Sequence, residues 1–219
     1  MRNLTECRLY GILDLGYIAA AEAMRVAGAM IEGGVDVIQL RGKRQSVDEL
    51  TSLASALHAL TFPAAIPLIV NDYPEIAQRV PLEGVHVGQD DQSVAAARAG
   101  AGRAIMVGKS THSLAQAAAA QKEGADYIGF GPLFATPTKP DYRPIGLRQI
   151  AQVHRDVPCP IFCIGGIKVE NLGQVVAAGA RRVVIVSGLL QAPDIANYAR
   201  EARRLLLSES ESETRKSAI

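Results

Sequence analysis

The chain has 219 residues, enough for one substantial hydrophobic core, and its 48% hydrophobic and 21% charged content is typical of a globular protein. Lys and Arg number 23 against 22 Asp and Glu, so we expect no general attraction to nucleic acid or to an anionic membrane. No apolar run approaches the roughly 20 residues of a membrane span, and the N-terminus lacks a signal-peptide core. We therefore expect a cytoplasmic protein that does not contact membranes.

Short apolar runs alternate along the chain with segments of helical spacing. The runs predict eight strands, at residues 9–14, 35–41, 66–70, 84–87, 105–107, 127–130, 160–164 and 183–186. The intervening spacing predicts helices at 18–31, 47–60, 74–80, near Ser93, at 113–123 and at 147–153, and a helical segment after each of the last two strands.

This alternation predicts a parallel sheet. The segments 32–36, 123–126 and 178–180 each end a helix just before a strand, which indicates one repeated unit and favours a closed barrel. The predicted fold is therefore a single (β/α)8 TIM barrel over residues 1–207, with an open flavodoxin-like sheet as the alternative. We expect the polar Ser/Glu segment 208–219 to be disordered.

Polar residues collect where the predicted strands end, which is where barrels of this kind carry their chemistry. At the end of the second strand, Gln39 and Arg41 share one face, and Lys43 follows in the loop. A guanidinium can bind a phosphate through two parallel hydrogen bonds, and a lysine adds a point charge. These residues therefore predict an anion site.

Carboxylates follow the next two strands. Asn71 and Asp72 end the third strand, and the fourth runs into Asp90 and Asp91. Two hard oxygen ligands suit Mg²⁺, which keeps waters and is usually completed by substrate phosphate. Asp72 has an alternative role as the cap of a helix that begins near Pro74, and either Asp90 or Asp91 fits as the second ligand.

The fifth strand ends in Ser110 and His112, after Gly108-Lys109. This resembles the end of a P-loop, but Gly102 lies one residue too far away for that motif, so we reject a nucleotide triphosphatase. Ser110 is a candidate phosphate donor. His112 is a candidate acid or base, with a place beside a helix cap as the alternative.

The loops after strands six, seven and eight contain further groups suited to anions. Residues 129–139 combine two glycines and two prolines with Thr136, Thr138 and Lys139, although an ordinary solvated loop has the same composition. Gly165-Gly166 and Val186-Ser187 follow the last two strands, where barrels commonly hold a phosphate. The sequence therefore predicts two anion sites, one of them with Mg²⁺.

The order of these motifs resembles that of the thiamine phosphate synthase family, from Leu9 to about Leu207. The motifs that carry the resemblance are Gln39-Leu40-Arg41-Gly42-Lys43, Asn71-Asp72, residues 85–91, Ser110-Thr111-His112, residues 129–139 and Ile164-Gly165-Gly166-Ile167. The resemblance implies a transferase that joins 4-amino-5-hydroxymethyl-2-methylpyrimidine pyrophosphate to 4-methyl-5-(2-phosphoethyl)thiazole. Thiamine phosphate forms and pyrophosphate leaves by a dissociative route through a pyrimidine-stabilised carbocation.

The resemblance also implies roles for individual residues. The pyrimidine pyrophosphate would be held by Gln39, Arg41, Lys43, Asn71, Ser110 and Lys139, with Arg41, Ser110 and Lys139 the most direct contributors to catalysis. The thiazole phosphate would be held by Thr136, Thr138, Gly166, Val186 and Ser187. Mg²⁺ would be held by Asp72 and Asp91, which favours Asp91 over Asp90.

Three departures from the family pattern stand out. Gly42 replaces a usual Glu, Tyr73 replaces a usual Arg, and the first strand reads Tyr-Gly-Ile-Leu-Asp where the family has Tyr-Leu-Val-Thr-Asp. Lys109 is a candidate replacement for the missing arginine. Two alternative functions are a thiazole tautomerase-like isomerase using His112 and a non-catalytic barrel that binds thiamine phosphate. A homo-oligomer stays open.

Overall fold

The computed structural model describes residues 2–89, 91–136 and 143–216, and only the backbone of residues 209–216. Eight parallel strands close into a barrel in chain order. They are β1 (Leu9–Asp14), β2 (Val37–Arg41), β3 (Leu68–Asn71), β4 (Gly84–Val87), β5 (Met106–Thr111), β6 (Tyr127–Phe130), β7 (Ile161–Cys163) and β8 (Val183–Ile185). Pairing of β1 with β8, through Leu9 and Val183, closes the ring. The predicted (β/α)8 barrel is confirmed, and the open sheet is wrong.

Helices follow the strands and pack around the ring. They are α1 (Ala23–Glu32), α2 (Val47–Thr61), α3 (Val94–Gly100), α4 (Leu114–Lys122), α5 (Ile150–Asp156), α6 (Val169–Ala177), α7 (Ser187–Leu190) and α8 (Ile195–Lys216). Serines at the N-caps of α2, α3 and α4 accept backbone N–H bonds and fix where these helices begin. The segment predicted as a helix from residue 74 is a 3-10 helix, Pro74–Gln78, whose first position suits proline.

Strand β5 is longer than its apolar run predicts. Lys109, Ser110 and Thr111 continue the ladder by pairing with Ile128, Gly129 and Phe130 of β6. Hydrophobic patterning misses these residues because their side chains are polar, whereas the ladder needs only their backbone groups. The extension places Ser110 inside the strand, which fixes its direction more firmly than a loop would.

Alternation along each strand separates two hydrophobic layers. Inward residues such as Tyr10, Tyr127 and Phe162 fill the barrel, and Leu4 and Cys7 of the N-terminal segment join this interior cluster. Outward residues such as Ile38 and Leu40 of β2 pack with the helices. Gln39 and Arg41 therefore point inward, as the period of two predicts.

The last helix, α8, continues to Lys216, so helical backbone extends over most of the segment whose composition predicts disorder. Disorder of residues 208–219 and a domain boundary at residue 207 stay predictions. Among the described residues, no helix is both long and apolar enough to cross a membrane.

Candidate active site at the mouth of the barrel

A cavity of about 790 Å³, including the part that opens to solvent, lies at the C-terminal ends of the strands. Its wall brings together eight residues predicted for the site, namely Gln39, Arg41, Asn71, Ser110, Thr136, Gly166, Val186 and Ser187. The other lining residues include the apolar Ile12, Ile164 and Val184. Predicted residues far apart in sequence thus share one cavity, because parallel strands all present their C-terminal ends on the same side.

Arg41 is oriented by the carboxylate of Asp14, which is not among the residues predicted for the site. Asp14 and Arg41 are register partners at the ends of β1 and β2. Arg41 Nη1 donates to Asp14 Oδ2 at 2.5 Å, and the two side chains are 16% and 3% exposed. Asp14 Oδ1 also accepts a bond from Gly16 N. The strand-end rule that singled out Arg41 applies equally to Asp14, so the signal was present in the sequence.

Asp72 is held at the rim of the cavity, next to Asn71 in its wall. Lys43 Nζ forms an ion pair with Asp72, and Asp72 has a left-handed φ of 67°. The N-cap of the following 3-10 helix is Tyr73, and within the described chain no side chain caps that helix. The alternative role of Asp72 as a helix cap is therefore wrong, and its carboxylate remains at the mouth.

Asp91 lies close enough to Asp72 to affect its titration. Burial raises the pKa of Asp72 above its usual range, the ion pair with Lys43 opposes this, and the negative Asp91 raises the pKa further. Asp91 is itself fixed by accepting a bond from Gly88 N at 2.8 Å. Two neighbouring carboxylates are a favourable place for a divalent cation, so the residues fit Mg²⁺ with waters and phosphate completing its shell. Among the described residues, no three His, Cys, Asp or Glu side chains form a metal cluster.

A chain of hydrogen bonds, buried at Tyr10 and Tyr127 and partly buried at His86 and Ser110, crosses the barrel at the floor of the cavity. Gln39 Nε2 donates to Tyr10 Oη at 2.8 Å, and Tyr10 Oη lies 3.1 Å from Tyr127 Oη. His86 Nδ1 is 3.1 Å from Tyr127 Oη, and His86 Nε2 is 2.9 Å from Ser110 Oγ. Sequence patterns predict no role for the two tyrosines or for His86, because their contacts join strands distant in the sequence.

Backbone geometry shapes the opposite side of the mouth. Gly165 and Gly166 have φ of 97° and 65° and follow β7, which is four strands away from β3 in a ring of eight. A Cβ on Gly166 would lie 2.7 Å from the Ala135 carbonyl oxygen, so glycine is required there. Ser187 begins α7 beside these glycines in the cavity wall. This side therefore offers backbone groups and a hydroxyl, whereas the β2–β4 side carries charged side chains.

Other predicted residues have different outcomes. Thr138, Lys139 and Asp90 lie outside the described residues, so their roles stay predictions. His112 lines the cavity, and its Nδ1 donates to the Gly131 carbonyl oxygen. Lys109 is 7% exposed and donates to the Gln92 carbonyl oxygen at 3.5 Å, with Glu123 at 3.7 Å. The role of Lys109 as a replacement for the missing arginine stays a prediction.

A closed parallel barrel with basic and hydroxyl side chains on one side of its mouth and glycine backbone on the other defines the class as a (β/α)8 barrel with its cavity at the C-terminal ends of the strands. The family profile described as thiamine monophosphate synthase matches residues 9–189. The chain therefore belongs to the thiamine monophosphate synthase family. The family predicted from the sequence is confirmed, together with its transferase class.

Individual relatives agree with this assignment. A thiamine-phosphate synthase from Chloroflexus aurantiacus is 42% identical over 93% of this chain and 94% of its own length. Another from Halalkalibacterium halodurans is 40% identical over 88% and 92%. The solved structure of a thiamine phosphate pyrophosphorylase from Pyrococcus furiosus superposes with a TM-score of 0.85 at 28% identity, covering 94% of this chain and 98% of that one.

Proposed function

We propose that this protein joins 4-amino-5-hydroxymethyl-2-methylpyrimidine pyrophosphate to 4-methyl-5-(2-phosphoethyl)thiazole, giving thiamine phosphate and pyrophosphate. The observation that carries the proposal is the division of the mouth into two unlike anion-binding sides on strands that face each other across the ring. Such a mouth suits two phosphorylated substrates that must meet between the sides. Family membership supports this choice of substrates.

The pyrimidine pyrophosphate belongs on the charged side. Its ligands are Gln39, Arg41, Lys43, Asn71, Ser110 and Lys139. The Asp14 contact supports this role for Arg41, because it occupies Nη1 and leaves the rest of the guanidinium fork for an anion. Arg41, Ser110 and Lys139 act on the group that becomes the departing pyrophosphate.

The thiazole phosphate belongs on the glycine side, with Thr136, Thr138, Gly166, Val186 and Ser187 as its ligands. Thr136, Gly166, Val186 and Ser187 all line the cavity, which supports this arrangement. The left-handed backbone at Gly166 leaves room for a phosphate to approach main-chain N–H groups. The apolar surface between the two sides suits the rings of both substrates.

Asp72 and Asp91 would hold Mg²⁺, which when bound supplies positive charge that stabilises the departing pyrophosphate. The ion pair between Lys43 and Asp72 supports this assignment, because it shows that the carboxylate of Asp72 is placed to attract a positive charge.

The reaction that we propose is dissociative. The bond between the pyrimidine methylene carbon and the pyrophosphate oxygen breaks, and its electron pair leaves with pyrophosphate. The thiazole nitrogen then donates its lone pair to the methylene carbon, so no proton moves in the bond-forming step. The protein's part is to orient the two substrates and to stabilise the charge that develops on pyrophosphate.

The test is pyrophosphate release by the purified full chain, measured with each substrate alone and with both, in the presence of Mg²⁺ or EDTA. We expect release only with both substrates and the metal. Asp72→Asn and Asp91→Asn should each lower kcat/KM at least tenfold and weaken Mn²⁺ binding followed by electron paramagnetic resonance. Asp156→Asn, a half-exposed pair partner of Arg155 on α5, is the matched control and should match wild type.

Two other results would each indicate a different function. Interconversion of thiazole phosphate tautomers without pyrophosphate release would indicate the isomerase, with His112 as the first residue to test. Binding of thiamine phosphate with neither reaction would indicate the non-catalytic barrel.

A further inference from the structure

The hydrogen-bond chain between Gln39 and Ser110 has a defined direction. An amide nitrogen can only donate, so Gln39 Nε2 gives its proton to Tyr10 Oη. Within the described residues, the remaining partner of Tyr10 Oη is Tyr127 Oη, and Tyr10 therefore donates to Tyr127. The Tyr127 hydroxyl, having accepted that bond, donates in turn to His86 Nδ1.

The direction of the chain fixes the state of the histidine ring. A neutral imidazole carries a single N–H, and His86 Nδ1 is occupied as an acceptor. The proton must then lie on Nε2, which donates to Ser110 Oγ at 2.9 Å. Because the oxygen of Ser110 accepts this bond, its own hydrogen is left for the cavity that Ser110 lines.

We propose that His86, Tyr127 and Tyr10 are positioning residues that hold Ser110 as a hydrogen-bond donor toward the pyrimidine pyrophosphate. The proposal rests on the proposed function for the identity of that substrate. The chain begins at Gln39 and ends at Ser110, and both residues are ligands proposed for this same substrate. The chain therefore links the contact that Gln39 makes to this substrate with the contact that Ser110 makes. It passes through the barrel interior over strands β2, β1, β6, β4 and β5.

Packing encloses the two tyrosines of the chain, and burial keeps their hydroxyls protonated. Tyr10 and Tyr127 are 2% and 1% exposed, and each packs edge-on against the ring of Phe162. A Cβ on Gly108 would lie 2.1 Å from the Tyr127 ring, so that glycine makes the space in which the phenol sits. Burial raises the pKa of both phenols above their usual value, so both hydroxyls keep their protons at neutral pH.

The first test follows the His86 tautomer by nuclear magnetic resonance. The chain has 4 histidines, so ¹⁵N-histidine labelling gives a simple spectrum in which His86→Asn identifies the His86 signals. At pH 7.5 we expect the His86 proton on Nε2. Tyr127→Phe and Tyr10→Phe should each produce a mixture of the two tautomers, since each removes a hydroxyl that sets the direction of the chain.

Phe162→Leu is the packing control, because it disturbs the same rings and leaves every hydroxyl of the chain in place. We expect it to leave the tautomer unchanged. A proton on Nδ1 in the wild type would overturn the proposal, as would a spectrum insensitive to Tyr127→Phe. A response to Tyr127→Phe but not to Tyr10→Phe would reduce the chain to a local contact and would also overturn it.

The second test is kinetic. Tyr127→Phe should lower kcat/KM for the pyrimidine pyrophosphate by roughly five- to tenfold, the range expected for loss of one oriented hydrogen bond, while KM for the thiazole phosphate stays unchanged. A rise in KM for the thiazole phosphate as well would point to a general structural effect and overturn the specific role. If the wild type releases no pyrophosphate, the proposed function fails, whereas the tautomer measurement still decides the direction of the chain.

Discussion

Replacing Asp14 by Asn tests whether its ion pair with Arg41, in the cavity wall, contributes substantially to the stability of the fold. The substitution is nearly isosteric and keeps an oxygen that can accept the bond from Gly16 N. It removes the negative charge 2.5 Å from Arg41 Nη1, and it can place an amide N–H against that donor. The guanidinium then remains at 16% exposure without its carboxylate.

The expected loss of stability follows from this burial. Breaking a fully buried ion pair costs about 3–5 kcal/mol, and an ordinary hydrogen bond to a charged group is worth about 1.5–3 kcal/mol. Arg41 borders a cavity that opens to solvent, so water reaches part of the stranded charge and lowers the cost. We expect Asp14→Asn to lower the free energy of unfolding by about 2–3 kcal/mol, or the melting temperature by roughly 4–12 °C for a domain of this size.

The measurement is urea unfolding followed by circular dichroism, checked for reversibility. Asp48→Asn is the matched control, because the Arg79–Asp48 pair has a similar distance of 2.6 Å but side chains that are 60% and 83% exposed. We expect that control to change stability by less than about 0.5 kcal/mol. Equal, small effects of the two substitutions would refute the reasoning, since burial would then not distinguish the two pairs.

Three further predictions concern other parts of the molecule. Gly166→Ala should weaken thiazole phosphate binding and lower the free energy of unfolding by about 1–3 kcal/mol, because the φ of Gly166 is 65° and a Cβ there would crowd Ala135. Gly173→Ala is the control, since it has open space around its Cβ and should stabilise α6 by up to about 1 kcal/mol. Unfolding and titration calorimetry measure both variants, and equal effects would contradict the prediction. Lys109→Met should leave KM for the pyrimidine pyrophosphate within about twofold in steady-state assays, and a large rise would support its role as the missing cation. Burial lowers the pKa of His154 from 6.5 to about 4, so between these pH values the unfolded chain binds a proton that the folded chain does not. Stability should therefore fall as the pH drops from 6.5 to 4, and His154→Gln should lack this part of the acid sensitivity. A plot of unfolding free energy against pH that runs parallel to that of the wild type would contradict the prediction.

Local patterns in the sequence were sufficient to place several of the predicted site residues at the cavity. The period of two placed Gln39 and Arg41 on the inner face of β2, and the structure confirms that both line the cavity. Strand-end position likewise predicted Asn71, Ser110 and the glycines of the opposite side. These predictions succeed because the direction of a strand residue depends on its immediate neighbours, and because all parallel strands end on the same side of the barrel.

Local sequence patterns could not predict which side chains on different strands form hydrogen bonds or ion pairs with one another. Tyr10 and Tyr127 are 117 residues apart, and nothing near either one in the sequence specifies that their hydroxyls meet. Asp14 was predicted as a strand end, but its ion pair with Arg41 depends on the register between β1 and β2. The approach of Lys109 to Glu123 likewise depends on how α4 packs beside β5, which the sequence near Lys109 does not specify.

The sequence by itself determined the alternation of strands and helices, the closed barrel and the family, because each follows from local periodicity and ordered motifs. The tertiary structure alone decided which polar groups satisfy one another: Asp14 with Arg41, Lys43 with Asp72, and the chain that ends at Ser110. A buried donor or acceptor must find a partner wherever the fold brings one, and strand register and side-chain length set that choice.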